Sequence, residues 1–388
     1  MTTAWSIVEY PGRDGLMRLE PDWTRLVSAM PDAGFQHLHE SHVSYLDKLP
    51  SEFGAFNCLA LSDGSRIRAI CPVEPQRLDV FRAFKSPAWG LPLGLGDMPR
   101  DVICPADADA EAALLPCVAA HLRKTRPRYN WFVLGRVLEG SVAWRCLRAI
   151  DAGRYYADRD DAAHMIDCDQ PFAGITSRLS RKFRANMRSA HNRLAKLPDV
   201  HFERTVDAAC MDAAFDRFLK VEASGWKGEA GDRTAIAVKP KQLAFYRSWV
   251  AGLTASGCCE FNELRSGDTC VASTFCVHVD EECAVVKIGY DERFAQVAPG
   301  HLVLERIFQQ YCDDPSAKRI SLVSAFAWNA RWEPEVVGSY NVYLGIGGWM
   351  ARARVGLLRM SFRYWPLIKR WLQRSGAGGR IARRFARG

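Results

Sequence analysis

The stretch Lys287–Glu305, KIGYDERFAQVAPGHLVLE, ends an apolar strand, inserts a polar segment and starts a helix behind Pro299-Gly300. A helix start leaves backbone N–H groups unpaired and carries a partial positive charge, so such a junction can hold a phosphate or pyrophosphate without a cationic side chain. Gly300 lets the backbone come close to a ligand, and Pro299 fixes the approach of the chain. An ordinary loop closed by Pro-Gly has the same local pattern, so the neighbouring elements decide.

Upstream, the strand-like runs Glu260–Leu264 and Val271–Val277 are joined by Arg265–Asp268, a hairpin signal, and Asp280–Glu282 turns the chain into a third strand ending at Tyr290. Before them come a charged helix over about 176–196, an alternating run at Val200–Thr205 and an amphipathic helix carrying Ala214, Phe215, Phe218 and Val221. A further helix follows Pro240, with Leu243, Phe245, Tyr246, Trp249, Val250 and Leu253. After the junction the pattern predicts a helix from His301 to about Cys312 and a strand at Arg319–Val323. The first half repeats part of this order. Cys58–Val73 forms a strand, turn and strand in which Leu61 matches Leu264 and Ala69 matches Ala272; a helix over about 109–125 and a strand at Trp131–Gly135 follow. A duplicated unit of about 170 residues accounts for the length. The boundary is placed near residue 165, giving units 1–165 and 166–350 and a tail, 351–388.

With 388 residues, 48% of them hydrophobic, the chain is long enough for two domains with a core each. The 13 cysteines are odd in number, scattered and include the adjacent pair Cys258-Cys259, which fits neither a disulfide framework nor paired metal ligands. No His or Cys spacing closes a zinc site, so no metal is expected. The start, MTTAWSIVEYPGRDG, lacks a basic segment followed by an apolar one, and no run of about 18 apolar residues occurs, so a cytoplasmic, non-spanning protein is expected. The net charge of +8 is uneven: residues 351–388 hold 11 Lys or Arg and no acid, which leaves residues 1–350 at −3. Generic nucleic-acid binding by the body is poorly supported, and no DNA partner is expected.

Five segments together resemble the GNAT acyltransferase superfamily, and specifically the CelD/BcsL-type acetyltransferases associated with cellulose and other exopolysaccharide biosynthesis. They are Leu179–Arg188 (LSRKFRANMR), Val221–Gly228 (VEASGWKG), Leu264–Asp268 with Ala272, Lys287–Glu292 (KIGYDE) and Ala298–Gly300. The resemblance covers about 176–332 well and the first half in outline. It implies an α/β protein of two tandem GNAT-like units, each a mixed, mostly antiparallel sheet flanked by helices, the second unit binding acetyl-CoA or another acyl-CoA and the first non-catalytic. In that fold the strand before the pyrophosphate loop bonds the pantetheine arm through its backbone and parts from the next strand to open a slot. Lys287, Ile288, Ala298, Pro299, Gly300, His301 and Leu302 are then the expected donor contacts.

Acyl transfer to an amine needs a group to take the amine proton, a donor for the developing oxyanion and a proton for the leaving thiolate. Direct attack requires no covalent nucleophile. Asp291 is the expected base or water-positioning residue, or else a turn carboxylate capping nearby amides; Tyr290 is the expected proton donor, or else a half-buried packing residue. Glu222, Trp226, Lys227 and Asn329 are expected to contact the acceptor, unless, for the first three, Gly225 and Gly228 merely close a helix there. Where relatives commonly show an aspartate-containing strand followed by Gly and a Tyr-Lys pair, this chain has Ser321 and Trp328-Asn329. If those positions contact acceptor or thiolate, the departure implies another substrate or a lost activity. A FemAB-type transferase, which shares the duplicated fold but takes an aminoacyl group from tRNA, and a non-catalytic scaffold recruiting a membrane synthase are the alternatives.

Two elements are basic. The helix over about 176–196 places Leu179, Phe183, Met187 and Leu194 on one stripe and seven cations elsewhere, either a solvated face or a contact for an anionic acceptor or the CoA phosphates. The tail run Val355–Arg374 mixes large apolar residues with cations, as interfacial helices do, so peripheral attachment to an anionic membrane face or to a membrane synthase is expected. Docking of Tyr364, Trp365, Leu367 and Trp371 on the body is the alternative.

Overall fold

A computed structural model describes residues 4–80, 84–92, 98–225, 227–229, 231–314 and 318–374, with backbone alone for 79, 80, 84, 85 and 366–374. The first half runs β1 (Ser6–Pro11), α1 (Gly12–Arg18), α2 (Glu20–Val27), α3 (His39–Lys48), β2 (Asn57–Ser62), β3 (Ile67–Val80), β4 (Phe84–Gly90), α4 (Ala108–Thr125), β5 (Trp131–Leu138), α5 (Val142–Cys146) and β6 (Tyr155–Asp167). The second runs α6 (Phe172–Arg178), α7 (Arg181–Leu194), β7 (Val200–Thr205), α8 (Ala208–Glu222), α9 (Pro240–Ala255), β8 (Cys259–Ser266), β9 (Thr269–Val279), β10 (Glu282–Tyr290), α10 (Pro299–Asp313), β11 (Arg319–Ser321), β12 (Glu335–Gly345) and α11 (Trp349–Arg374).

The hairpins form where the turn residues require them. Gly267, with φ of 54°, serves the two-residue turn closed by the Ser266–Thr269 pair, and Asp280, with φ of 51°, serves the turn closed by Val279 and Glu282. β9 shows no alternation of polar and apolar residues because both faces are covered: Phe275 and Val277 join the core that contains α8, whereas Ala272 and Cys276 join the one that contains α10. The basic helix expected over about 176–196 is two helices. Ser180 interrupts it by accepting the Phe183 N–H (3.2 Å) and capping α7.

All twelve described strands make one sheet, in the order β1-β2-β3-β4-β5-β12-β6-β11-β10-β9-β8-β7. Read from either edge, four antiparallel strands are followed by a parallel pair, β4–β5 on one side and β10–β11 on the other. The two halves are therefore related units, an α/β arrangement of mixed sheets flanked by helices. They meet by exchanging their last strands. β12 pairs with β5 of the first half (Ser339 opposite Leu138), and β6 pairs with β11 of the second (Asp167 opposite Arg319). Residue 165 itself lies within β6, where Met165 faces Glu335 on one side and Ser321 on the other.

A second contact joins the units away from the sheet centre. Helices α3 and α9 pack through small residues: Trp249 Nε1 donates to Ser41 Oγ (2.9 Å), Ser248 Oγ to Ser44 Oγ (3.2 Å), and Gly252 abuts the Glu40 side chain. Trp249 is fully buried and packs at a tilt against Phe35 and edge-on against Phe275. A side chain of that size contributes at least about 3 kcal/mol by burial, so this contact is part of the fold's stability.

Candidate functional site

β10 and β11 pair only at Glu282–Ala284 opposite Arg319–Ser321. Beyond Ala284, β10 continues to Tyr290 with no described strand on that side, so its outer backbone edge opens into a slot. Two features produce the opening. A bulge between Val285 and Lys287 bends β10. On the other side Val323, with φ of 61°, turns the chain out of the sheet just past β11, and the Ser321 hydroxyl accepts the Val323 N–H (3.2 Å). A β-branched residue in the left-handed region costs roughly 1–2 kcal/mol, and such strain concentrates at functional sites. In the first unit the equivalent pair stays joined at the end of β4: Ala88–Gly90 face Trp131–Val133, and the Leu91 N–H donates to the Val133 carbonyl (3.0 Å).

The helix start expected at Pro299-Gly300 lies beside the open part of β10. Ala298, at φ 52° and ψ 51°, is the N-cap of α10, and Pro299 occupies the first turn. His301 N–H and Leu302 N–H both turn back to the Ala298 carbonyl (3.0 and 3.3 Å). Pro299 has no N–H, which leaves Gly300 as the first-turn amide that no described backbone carbonyl accepts. A Cβ at Gly300 would meet nothing closer than Ile288 Cδ1 (3.7 Å) and Tyr290 Cδ1 (3.9 Å). The glycine is thus not needed for packing; it faces space bounded by Ile288 and Tyr290. Gly289 is the opposite case, since a Cβ there would lie 2.8 Å from Glu222 Cα.

The expected donor contacts Ile288, Ala298, Pro299, Gly300 and His301 come together, with Lys287 on β10 beside them; Leu302 is buried in the core below. Lys227 Nζ donates to the Ile288 carbonyl and Ser224 Oγ to the Tyr290 carbonyl (both 3.4 Å), so the loop after α8 is tied to the end of β10. Tyr290 is more than one-third exposed at the strand end. Asp291 is buried and already engaged: it caps the short turn Glu292–Val297 through the Arg293 N–H (3.0 Å) and pairs with the Arg293 guanidinium (2.6 Å). The Arg293 hydrogen bond holds its carboxyl below the usual carboxylate range, which makes it a weak base. Of its two expected places, the capping one describes its contacts. Glu222 is buried, and its Oε2 accepts the Ile236 N–H (2.8 Å), closing the loop after α8. Trp226 lies outside the described residues.

Sequence patterns did not reveal the surroundings of His301. Its ring packs edge-on against Phe183 (5.1 Å) and Trp328 (5.5 Å), and Trp332 Nε1 donates to its Nδ1 (3.1 Å). An accepting Nδ1 places the neutral ring's proton on Nε2. Burial, and then Arg331, lower the His301 pKa to about 4. Asn329 begins the turn Asn329–Trp332 on the same segment; it is buried, with Nδ2 donating to the Ser324 carbonyl (3.4 Å) and Oδ1 unpartnered. Among the described residues no group of three or more His, Cys, Asp or Glu could hold a metal.

A slot beside a β-bulge, closed at one end by a glycine-bearing helix start, occurs in the second half alone among the described residues. Residues 181–325 match the family described as Acetyltransferase (GNAT) domain. The GNAT match therefore spans α7 to just past β11 and contains the whole slot. No curated protein matches the chain. The solved structures similar to it include FemX, with 10% identity over 83% of this chain and 95% of that one and a TM-score of 0.55. A conserved protein of unknown function from Bacteroides thetaiotaomicron gives 15% identity, coverage of 84% and 97%, and a TM-score of 0.53. L-PGS from Bacillus licheniformis gives 12%, coverage of 86% and 96%, and 0.51. At these identities the likeness is one of fold, and it extends over both units, each GNAT-like.

Proposed function

We propose that this chain is an acyl-CoA-dependent N-acyltransferase whose donor lies in the slot between β10 and β11, with its pyrophosphate at the Gly300 amide. The observation that carries the proposal is the pairing of β10 with β11 over Glu282–Ala284 alone, which leaves the outer edge at Ile288–Tyr290 without a described strand neighbour beside the α10 start; an extended ligand there would bond the amides and displace Lys227 and Ser224 from the two carbonyls. The joined β4–β5 pair supports a non-catalytic part for the first unit. Acyl-CoA would supply the activated thioester. In this reading Ile288 and Tyr290 wall the donor, His301 offers Nε2–H near the helix start, and the Tyr290 phenol would give a proton to the leaving thiolate. Asp291, tied to Arg293, fixes the turn into the helix, so the amine proton would pass to solvent water, from which the Tyr290 phenolate is reprotonated. An amine acceptor approaches past Lys227, with Glu222 and Asn329 holding the loops on either side. The specific form of the proposal is a CelD/BcsL-type acetyltransferase of exopolysaccharide or envelope metabolism, supported by the five segments that resemble that family.

Calorimetric titration with acetyl-CoA and CoA tests it. Micromolar binding is expected, retained in part by Gly300→Ala and abolished by Gly300→Trp, whose indole would fill the space in front of Ile288 and Tyr290. The likeness of fold to FemX and L-PGS favours a second reading, aminoacyl transfer of the FemAB type. Absence of CoA binding by the wild-type chain would overturn the first reading in favour of the second or of a non-catalytic scaffold.

A further inference from the structure

Helix α11 carries two apolar stripes over 349–364, and among the described residues only one of them is covered. Ala351, Val355, Leu358 and Phe362, spaced by four, three and four, face the body; Phe362 lies against Tyr156 (5.2 Å) and Tyr343 (5.7 Å). The second stripe runs Trp349, Ala353, Leu357, Met360 and Tyr364, again at helical spacing, and Met350 flanks it. Its large members are exposed: Trp349 80%, Leu357 66%, Met360 56%, Met350 50% and Tyr364 44%. Over 349–364 the stripe is roughly 22 Å long. Exposed apolar surface that is continuous along a helix, unlike scattered single residues, marks a contact.

We infer that this outer stripe docks α11 flat on an anionic lipid surface. Charge complementarity selects that occupant. Residues 349–388 contain 11 Lys or Arg and no Asp or Glu. Among the described side chains Arg352, Arg359 and Arg363 line one border of the stripe and Arg354 the other; Arg352 pairs with Asp151 and Arg359 bonds the Ala152 and Tyr155 carbonyls, so Arg354 and Arg363 are the ones whose stems can lie along the apolar surface while their charges meet headgroups. Asp151, on the neighbouring turn, is neutralised by its ion pair with Arg352. No helix among the described residues is long and apolar enough to cross a membrane, so contact through α11 would be along the interface.

The test is sedimentation of the full chain with vesicles of phosphatidylcholine alone and of phosphatidylcholine with 30% phosphatidylglycerol as the probe lipid, at about 0.1 M salt. Binding is expected to the anionic vesicles only and to weaken with added salt. The double substitution L357E/M360E should reduce it by at least about tenfold, while the thermal midpoint stays unchanged because both side chains are more than half exposed. An Arg354→Glu and Arg363→Glu pair should reduce it as well. Failure to bind anionic vesicles, equal binding to neutral ones, or equal binding by L357E/M360E would overturn the inference. So would a wild-type dimer in sedimentation velocity that L357E/M360E converts to a monomer, since a second copy would then be the occupant.

Discussion

Lowering the pH from 7 to 5 should destabilise the protein through His301 by about 2 kcal/mol. The magnitude follows from the lowering of its pKa from 6.5 to about 4. The folded chain resists protonation for three physical reasons: the ring is enclosed by Phe183 and the two tryptophans, Arg331 is near, and the ring sits in the first turn of α10, where the helix dipole disfavours a cation. Protonation would also put a hydrogen on Nδ1, where Trp332 Nε1 now donates. Because the folded pKa lies below the unfolded one, the unfolded chain takes up the proton first. The contribution is complete above pH 6.5 and is lost as the pH falls toward about 4. Urea titrations at pH 7 and 5 would compare the wild type with His301→Gln, which cannot titrate but can still accept from Trp332. His42, also lowered to about 4 by burial, contributes equally to both proteins and cancels. The expected difference is a pH-dependent loss smaller by about 2 kcal/mol in the variant. Identical pH slopes would refute the claim that His301 is held neutral.

Three further outcomes follow from the same geometry. Ala298→Gly should stabilise the fold by about 0.5–1 kcal/mol in chemical denaturation, since relief of the left-handed strain at φ 52° exceeds the added chain entropy of glycine; a loss of stability would contradict the strain assignment. Gly289→Ala should cost about 1–3 kcal/mol, because the new methyl must push β10 away from Glu222 Cα, 2.8 Å distant, and donor affinity should fall with it; a neutral result would show that α8 yields freely. Arg217→Met should cost about 3 kcal/mol or more, since Glu263 is fully buried and its closest guanidinium contact, at 2.6 Å, is Arg217; an unchanged denaturation midpoint would mean that Arg265 compensates.

The second unit was legible because its signals are local. The β8–β9–β10 meander announces itself through Gly267 and Asp280, and the α10 start through Pro299-Gly300. The strands at the sheet centre are not local. The middle of β6 carries Asp158, Arg159, Asp160 and Asp161, which suppress any strand pattern, and it extends because β12 supplies a register from more than 170 residues away. The slot was inferred by resemblance, but the devices that open it had no sequence mark. The bulge hides in Val285-Val286-Lys287, which looks like unbroken strand, and neither Ala298 nor Val323 is a residue type that signals a positive φ. At Asp291 the nearby Arg293 was the available hint that the carboxylate would be paired.

The exchange of terminal strands also dictates an order of events during synthesis. β5 ends at Leu138, yet one neighbour it pairs with, β12, begins at Glu335. At translation rates of about 5–20 residues per second, the edge of β5 waits roughly 10–40 s for that partner. For that interval the nascent first unit displays an open β-edge and unfinished core, so neither unit matures before the other and the sheet centre closes last. Such long-range closure is slow, and an exposed edge is a template for wrong pairing, so the nascent chain stays open to mispairing until Gly345 has left the ribosome.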